Sequence, residues 1–416
     1  MKIKEIIPKI ININLKEFLL RNQIPVLVLG IFFLAFFFRI WNLSLIPGGF
    51  SLQEEETVKT ISGLSKKSMW LENGYFNAAY IYLGYLWSKI FGLTVTSLRY
   101  FSAIIGTITV ILSYIFISNW FSRKISIFMT LLFAVSSFHI ATSRIILPEI
   151  LFPLVFLALL ISLTFAYRTK NIWFFGLSGM LAGLGFYTSP AFFLVPFIFI
   201  FSGWYFYYKN KKFLLAYGQE LLVAATGFLA VIIPYVVSFV KNPLPYLNYY
   251  NFGVSFQGLA VNISQISSML FLKGPKNYLY NVGTEPLLDP LIFITSIGGI
   301  FFAIISISRR KYLFIILWLL FLSVYASLKP NLTGTDLLGL LPVIYTLSAL
   351  IIDYIIDRWF ETFPVNKRAQ IFAVGLISVF FALSMMYNYD KYFVAYKNSP
   401  MVEKEFSAVS PLKINK

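Results

Sequence analysis

The sequence predicts an all-α polytopic membrane protein of about eleven transmembrane helices, with its N-terminus inside and its C-terminus outside. Composition is the first observation behind this. Of 416 residues, 58% are hydrophobic and only 12% charged, where a soluble domain carries about a quarter charged residues. A soluble enzyme, a disordered chain and a coiled coil are thereby excluded. The second observation is length: roughly 20 mainly apolar residues cross a bilayer, and the chain holds repeated runs of that size. The third is the placement of basic residues, which alternates from one connection to the next.

The predicted spans lie at 25–42, 96–118, 125–142, 150–167, 172–188, 190–207, 218–240, 289–307, 311–327, 336–356 and 369–387. Residues 1–24 precede them as a cytoplasmic interfacial anchor helix. There Ile3, Ile6, Ile7, Ile10 and Ile11 form one stripe between lysines, and no signal-peptide cleavage site follows. The transmembrane domain is 25–388, and 389–416 is a short outer C-terminal tail. The segment 76–92 is apolar but short, broken by Gly84 and rich in Tyr and Trp, which suits an interfacial helix. Charge decides the matter. With 76–92 not crossing, Arg123/Lys124, Arg168/Lys170, Lys209/Lys211/Lys212, Arg309/Arg310/Lys311 and Arg358/Lys367/Arg368 all fall on the inner side. Outer loop 1 (43–95) and outer loop 2 (241–288) are then the long connections, and long loops are where function concentrates.

The surplus of 34 Lys and Arg over 17 Asp and Glu is therefore a topology signal, and no nucleic-acid partner is expected. The absence of Cys excludes disulfides and thiolate chemistry. Most acids fall outside, among them Glu54, Glu55, Glu56, Glu72, Glu149, Glu285, Asp289 and Asp336. Chemistry is thus expected on the outer face.

Three clusters carry it. After the turn Pro47-Gly48-Gly49, Ser51 and Glu54 have the spacing of a capping box. Helical periodicity puts Glu54 within the apolar stripe of Val58, Ile61 and Leu64, with Glu55 at its edge. A carboxylate there either works, has a partner, or merely caps the helix. The second cluster runs from Ser136 to Glu149 and holds His139, the only His, with Arg144 and Glu149 flanking Pro148. A guanidinium there suits a lipid phosphate or a helix-anchoring pair with Glu149. The third holds Lys273, Lys276 and Asn277, then Asn281 through Pro290, and reads equally as a phosphate site or a turn-rich connector.

In order, these pieces resemble the C-type (GT-C) membrane glycosyltransferases, closest to the family 39 protein O-mannosyltransferases and the lipid A aminoarabinose transferase. The carrying segments are the acidic run after the turn, Ile90-Phe91-Gly92, and Leu98-Arg99 with its Ser/Gly-rich continuation to Gly106. The His139–Glu149 stretch, Gly183-Leu184-Gly185-Phe186-Tyr187-Thr188-Ser189-Pro190, and Asn281 through Pro286-Leu287-Leu288-Asp289-Pro290 complete them. The likeness covers roughly 25–310. The family's Asp-Glu pair reads Gln53-Glu54-Glu55-Glu56 here, so the Asp falls on Gln53 or Glu54; the cap and stripe favour Glu54.

The resemblance implies the GT-C fold and an inverting transfer of a sugar from a polyprenyl-phosphate donor to a glycan, lipid or protein acceptor. The enzyme would be a multi-pass protein of the plasma (inner) membrane, with its active site facing outside in the cell envelope. Glu54 would be the base with Glu55 beside it, and Arg144 with Lys66 or Lys67 would hold the donor phosphate. Glu149, His139, Tyr187, Asn281 and Asp289 would position substrates. Paired carboxylates can hold a divalent ion, which stays open although no second compact acidic set is visible, and no other cofactor is expected. Two other readings stand beside this one. One is a non-catalytic binder of lipid-linked sugar on the same scaffold. The other is a lipid or solute transporter, which the near absence of mid-span ionisable residues opposes.

Overall fold

The computed structural model describes residues 23–64, 77–196, 208, 211, 213–249 and 256–407. The anchor expected at 1–22, Lys66, Lys67 and most of the span expected at 190–207 lie outside the described residues. Among the described residues the secondary structure is helical, as the composition requires in lipid. Among the described residues, seven helices are long and apolar enough to cross a membrane, or eight counting one bent pair as a single span.

Helix α1 (Gln23–Ile40) leads into a turn and the amphipathic α2 (Leu52–Gly63), then α3 (Ala78–Phe91) and α4 (Val95–Trp120). At 14 residues, α3 is about 21 Å long, short of the roughly 30 Å hydrocarbon core. The span expected at 125–142 is broken at Ser136 into α5 (Arg123–Val135) and α6 (Ser137–Ser143), bent by 59°. Composition runs unbroken through that bend; what ends α5 is Ser136, whose Oγ caps α6 by accepting from the His139 amide at 3.4 Å. The chain continues through a 3-10 turn (Pro148–Ile150) into α7 (Leu151–Thr169), α8 (Ile172–Gly185) and a second 3-10 turn (Pro190–Leu194).

Helix α9 (Phe213–Lys241) pairs with α8. A Cβ at Gly179 would overlap the Ala224 carbonyl, and one at Gly227 would sit 2.6 Å from the Gly176 carbonyl oxygen. Small residues on both helices let the backbones touch, the usual device of helix association in lipid. Outer loop 2 contains α10 (Pro243–Tyr249) and α11 (Phe256–Phe271). Helices α12 (Pro290–Ile305) and α13 (Arg310–Ser327), a 3-10 turn (Gly334–Leu340) and α14 (Leu341–Thr362) follow. The final long element, α15 (Lys367–Tyr389), passes into a π-helical turn (Asp390–Tyr396) and α16 (Pro400–Phe406).

Burial sorts these helices. The span of α14 is 83% buried, against 17% for α9 and 11% for α15. So α14 is the axis of the bundle, packed by α5, α12 and α13, while α9 and α15 present apolar faces outward. The C-terminal tail does not dangle. Val402 and Phe406 of α16 are buried, and Phe406 O accepts the Phe50 amide at 2.5 Å, fastening the tail to outer loop 1.

Candidate functional site

The capping box forms as the sequence predicts: Ser51 Oγ accepts the Glu54 amide at 3.2 Å, and the Glu54 carboxylate accepts the Ser51 amide at 3.3 Å. The same carboxylate is fully buried and grips Arg99 of α4 with two parallel contacts, Nε to Oε1 at 2.8 Å and NH2 to Oε2 at 2.7 Å. Ile146 N donates to Oε1 at 3.0 Å. Two acceptor contacts on each oxygen use the roughly four lone-pair sites of a carboxylate. Arg99 also donates to the Pro47 and Gly49 carbonyls at 2.7 and 2.9 Å, so one ion pair holds the whole Pro-Gly-Gly turn. Glu54, expected as the base, thus has its lone pairs engaged inside the protein. Glu55 is half-buried and pairs with Lys59 at 2.8 Å, one turn along α2.

Arg144 is likewise enclosed. Its Nε donates to the Tyr392 hydroxyl at 3.1 Å, and NH1 and NH2 donate to the Phe38 and Ile46 carbonyls at 2.9 Å. The guanidinium also lies over the Tyr392 and Phe393 rings at 5.5 and 5.4 Å. Fully buried, it ties the end of α1 to the C-terminal turn. Arg144 does not pair with Glu149.

His139 also has a structural task. Arg39 NH2 lies 2.7 Å from its Nδ1, and a guanidinium only donates, so Nδ1 is the acceptor and the ring proton sits on Nε2. Arg39 escaped the sequence reading because it looks like an ordinary end-of-span cation, yet it is fully buried. Asp289 caps α12 by accepting the Ile292 amide at 2.8 Å. Its other oxygen accepts from Ser384 and Asn388 of α15 at 2.8 and 2.9 Å. Asn281 closes its own turn, donating to the Pro275 and Glu285 carbonyls at 3.1 and 2.9 Å.

Tyr187 enters the ladder of α9. Its hydroxyl donates to Val231 O at 2.9 Å and accepts from Tyr235 N at 3.0 Å, bridging two groups that would otherwise bond each other. Pro234 lies inside this turn, and an inserted side chain beside a proline is a sufficient cause for a kink.

Of the expected site residues that the structure describes, Glu149 alone lines the polar cavity, a space of about 220 Å³. It stands where α7 begins and α8 and α13 end. The wall is mostly polar: Gln53, Thr188, Ser189, Asn277, Lys329, Asn331, Thr333, Thr335 and Asp336, with Tyr280, Phe152 and Pro190. Glu149 Oε1 accepts from Asn77 Nδ2 at 3.3 Å, while Oε2 is buried without a hydrogen-bond partner among the described residues. Lys329 Nζ lies 3.4 Å from Asp336 Oδ1, and Thr333 caps the turn by donating to Asp336 Oδ2 from N at 3.0 Å and from Oγ1 at 2.8 Å. Burial pushes the Tyr280 phenol up to about 12, so it is neutral, and its oxygen accepts the Gly334 amide at 2.9 Å. Gln53, Asn77, Lys329 and Asp336 were missed as a set because three separate segments supply them. The signal that pointed to Gln53 was the family's Asp-Glu register.

The cavity end of the bundle lies opposite the connections carrying Arg123/Lys124, Arg168/Lys170, Arg309/Arg310/Lys311 and Lys367/Arg368. Among the described residues, no three His, Asp or Glu side chains form a set that could hold a metal ion.

An all-helical bundle with long loops gathered around a polar cavity at one end defines the class: the chain has the fold of the GT-C membrane glycosyltransferases, as its sequence motifs implied. The family profile described as dolichyl-phosphate-mannose-protein mannosyltransferase matches residues 79–238. The oligosaccharyltransferase of Archaeoglobus fulgidus, tethered to an acceptor peptide containing the NVT sequon, superposes with a TM-score of 0.59 at 15% identity. That match covers 95% of this chain and 57% of the other. The same archaeal enzyme, AglB, with an inhibitory peptide and a dolichol-phosphate, gives 0.58 at 14% identity, covering 96% and 61%. ArnT of Cupriavidus metallidurans bound to undecaprenyl phosphate gives 0.53 at 12%, covering 92% and 75%. The chain thus spans about three-fifths of the oligosaccharyltransferase it matches. No curated protein sequence matches it.

Proposed function

We propose that this protein is an inverting glycosyltransferase that moves a sugar from a polyprenyl-phosphate donor to an acceptor on the outer face of the plasma membrane. The observation that carries the reading is the polar cavity with one carboxylate oxygen of Glu149 left without a partner among the described residues. Amides and hydroxyls dominate its wall, as recognition of a sugar's hydroxyl groups requires, and the basic connections at the opposite end support an outward-facing cavity. Two of the solved relatives hold polyprenyl phosphates, which supports a lipid-linked donor.

In a single displacement the acceptor hydroxyl oxygen bonds to the anomeric carbon as the bond to the lipid phosphate breaks. The proton leaves to a base, and the phosphate departs with the electron pair. We assign the base to Glu149 and the cation beside the departing phosphate to Lys329. Gln53, Thr188, Asn277 and Asn331 face the sugar hydroxyls. The Glu54–Arg99 pair frames the loop that presents Gln53.

A second reading, a binder of lipid-linked sugar that does not transfer it, is favoured by one observation: Gln53, a neutral amide, lines the cavity just before Glu54. One assay separates the two. Purified protein in lipid nanodiscs is given radiolabelled polyprenyl-phosphate sugars and membrane extracts as acceptor source. Transfer that Glu149→Gln abolishes while donor binding persists supports the enzyme. Donor binding by the wild type with no transfer supports the binder. No donor binding at all removes both.

A further inference from the structure

We infer that the C-terminal helix α16 is a clamp on outer loop 1, and that Phe406 is the positioning residue through which it sets the cavity wall. Three observations meet there. Phe406 O accepts the Phe50 amide at 2.5 Å, the Phe406 ring lies 5.6 Å from the Arg99 guanidinium carbon, and Phe406 itself is fully buried. Arg99 is the residue that holds the Pro47 and Gly49 carbonyls and both oxygens of Glu54. The ring therefore covers the knot that fixes the turn, and Gln53, one residue from that knot, lines the cavity.

Gly49 shows that the fit is built. It sits at φ +90°, and a Cβ there would overlap the Phe406 carbonyl and its carbon. The loop thus takes a conformation and a residue that permit α16 to lie against it. Val402, one turn earlier, is also buried, so the helix is seated along its length. The segment is remote in sequence from every cavity residue, and its contacts above are to Phe50, Gly49 and Arg99, none of which lines the cavity. Its action is accordingly on the placement of Gln53 and not on bound substrate.

The inference about geometry stands apart from the assigned reaction; its consequence for catalysis rests on that assignment. Hydrogen-exchange mass spectrometry on the full chain in nanodiscs reads the geometry. Phe406→Ala removes a fully buried ring, so exchange at the Phe50 amide is expected to rise on the order of a hundredfold, with 43–56 affected and α14 unchanged. Phe406→Tyr, which keeps an aromatic face over Arg99, is expected to restore most of the protection. Unchanged exchange at 43–56 in Phe406→Ala overturns the clamp. So does a loss spread evenly over 43–56 and α14, since the helix would then be general core. In the transfer assay, Phe406→Ala is expected to raise KM for the donor by about tenfold with kcat lowered less, a split that general instability does not produce. If the wild type transfers nothing, the proposed function fails while the exchange result still decides the clamp.

Discussion

Glu54→Gln is the most informative perturbation of the site, because two assignments for this residue predict opposite things. In the folded chain Arg99 is almost fully buried, and four of its N–H contacts are made to Glu54, Pro47 and Gly49. Glutamine keeps the shape but removes the charge and points an amide donor at a guanidinium donor. A buried cation is left without its counter-charge, which costs about 3–5 kcal/mol. At 1.4 kcal/mol per factor of ten, the unfolded fraction rises by roughly two to three and a half powers of ten. Removing both charges is different: the double variant Glu54→Gln, Arg99→Gln has no orphaned ion, and is expected to recover at least about 1.5 kcal/mol relative to the sum of the single variants. Denaturant titration in detergent micelles, followed by tryptophan fluorescence, measures all three. Transfer activity per folded molecule is expected to fall far less in Glu54→Gln than total activity does. Wild-type stability in Glu54→Gln would refute the reasoning. So would a Glu54→Gln protein that is stable but wholly inactive, which would return the base role to Glu54.

Other outcomes follow from the same geometry. Glu149→Gln is expected to lower kcat by about 10²–10⁴-fold with little change in stability, since only one amide contact to Asn77 is at stake; the denaturant midpoint and initial-rate kinetics check both halves. Lys329→Met is expected to weaken binding of the polyprenyl-phosphate donor by about tenfold or more, as loss of a charge-assisted contact does, read by equilibrium binding in nanodiscs. Tyr187→Phe leaves Val231 O and Tyr235 N unbridged within α9 and should cost about 1–3 kcal/mol, measured by the same titration. In a host that glycosylates Asn-X-Ser/Thr, glycopeptide mass spectrometry should find Asn262 bare, because it is buried and its Nδ2 donates to Ser327 and Lys329 carbonyls.

How much of this was legible in the sequence depends on the range over which each feature is encoded. The helices were legible because span length and charge placement are local, and ten of the expected spans fall on described helices. The break at Ser136 was not, because apolar composition continues across it and the bend is held by a capping hydroxyl and by Asn388 Oδ1, which accepts the Ser137 amide at 2.8 Å. The capping box was legible for the same local reason, and so was the inward turn of Glu54. Its partner Arg99 stands 45 residues away, so the sequence showed that Glu54 needed a reason to be inside without showing which reason. The cavity was illegible as a set. Glu149 was singled out from its own stretch, but Gln53, Asn77, Lys329 and Asp336 converge only when the ends of different helices meet.

Three acids turned inward at the cavity end of this bundle show what separates a scaffold carboxylate from a working one. Burial does not separate them, since Glu54 and Asp289 are the more deeply buried. The count of filled acceptor sites does. Glu54 has both oxygens doubly occupied and a cation in contact; Asp289 spends one oxygen on a helix cap and the other on two donors from α15. Glu149 accepts one long bond and keeps an oxygen unengaged in a polar cavity. A base must have a lone pair to offer at the moment the acceptor proton leaves, and among the described residues only the third of these carboxylates has a whole oxygen without a donor. The residue whose removal most harms the reaction should therefore be the one whose removal least harms the fold. For Glu54 and Asp289 that order should reverse.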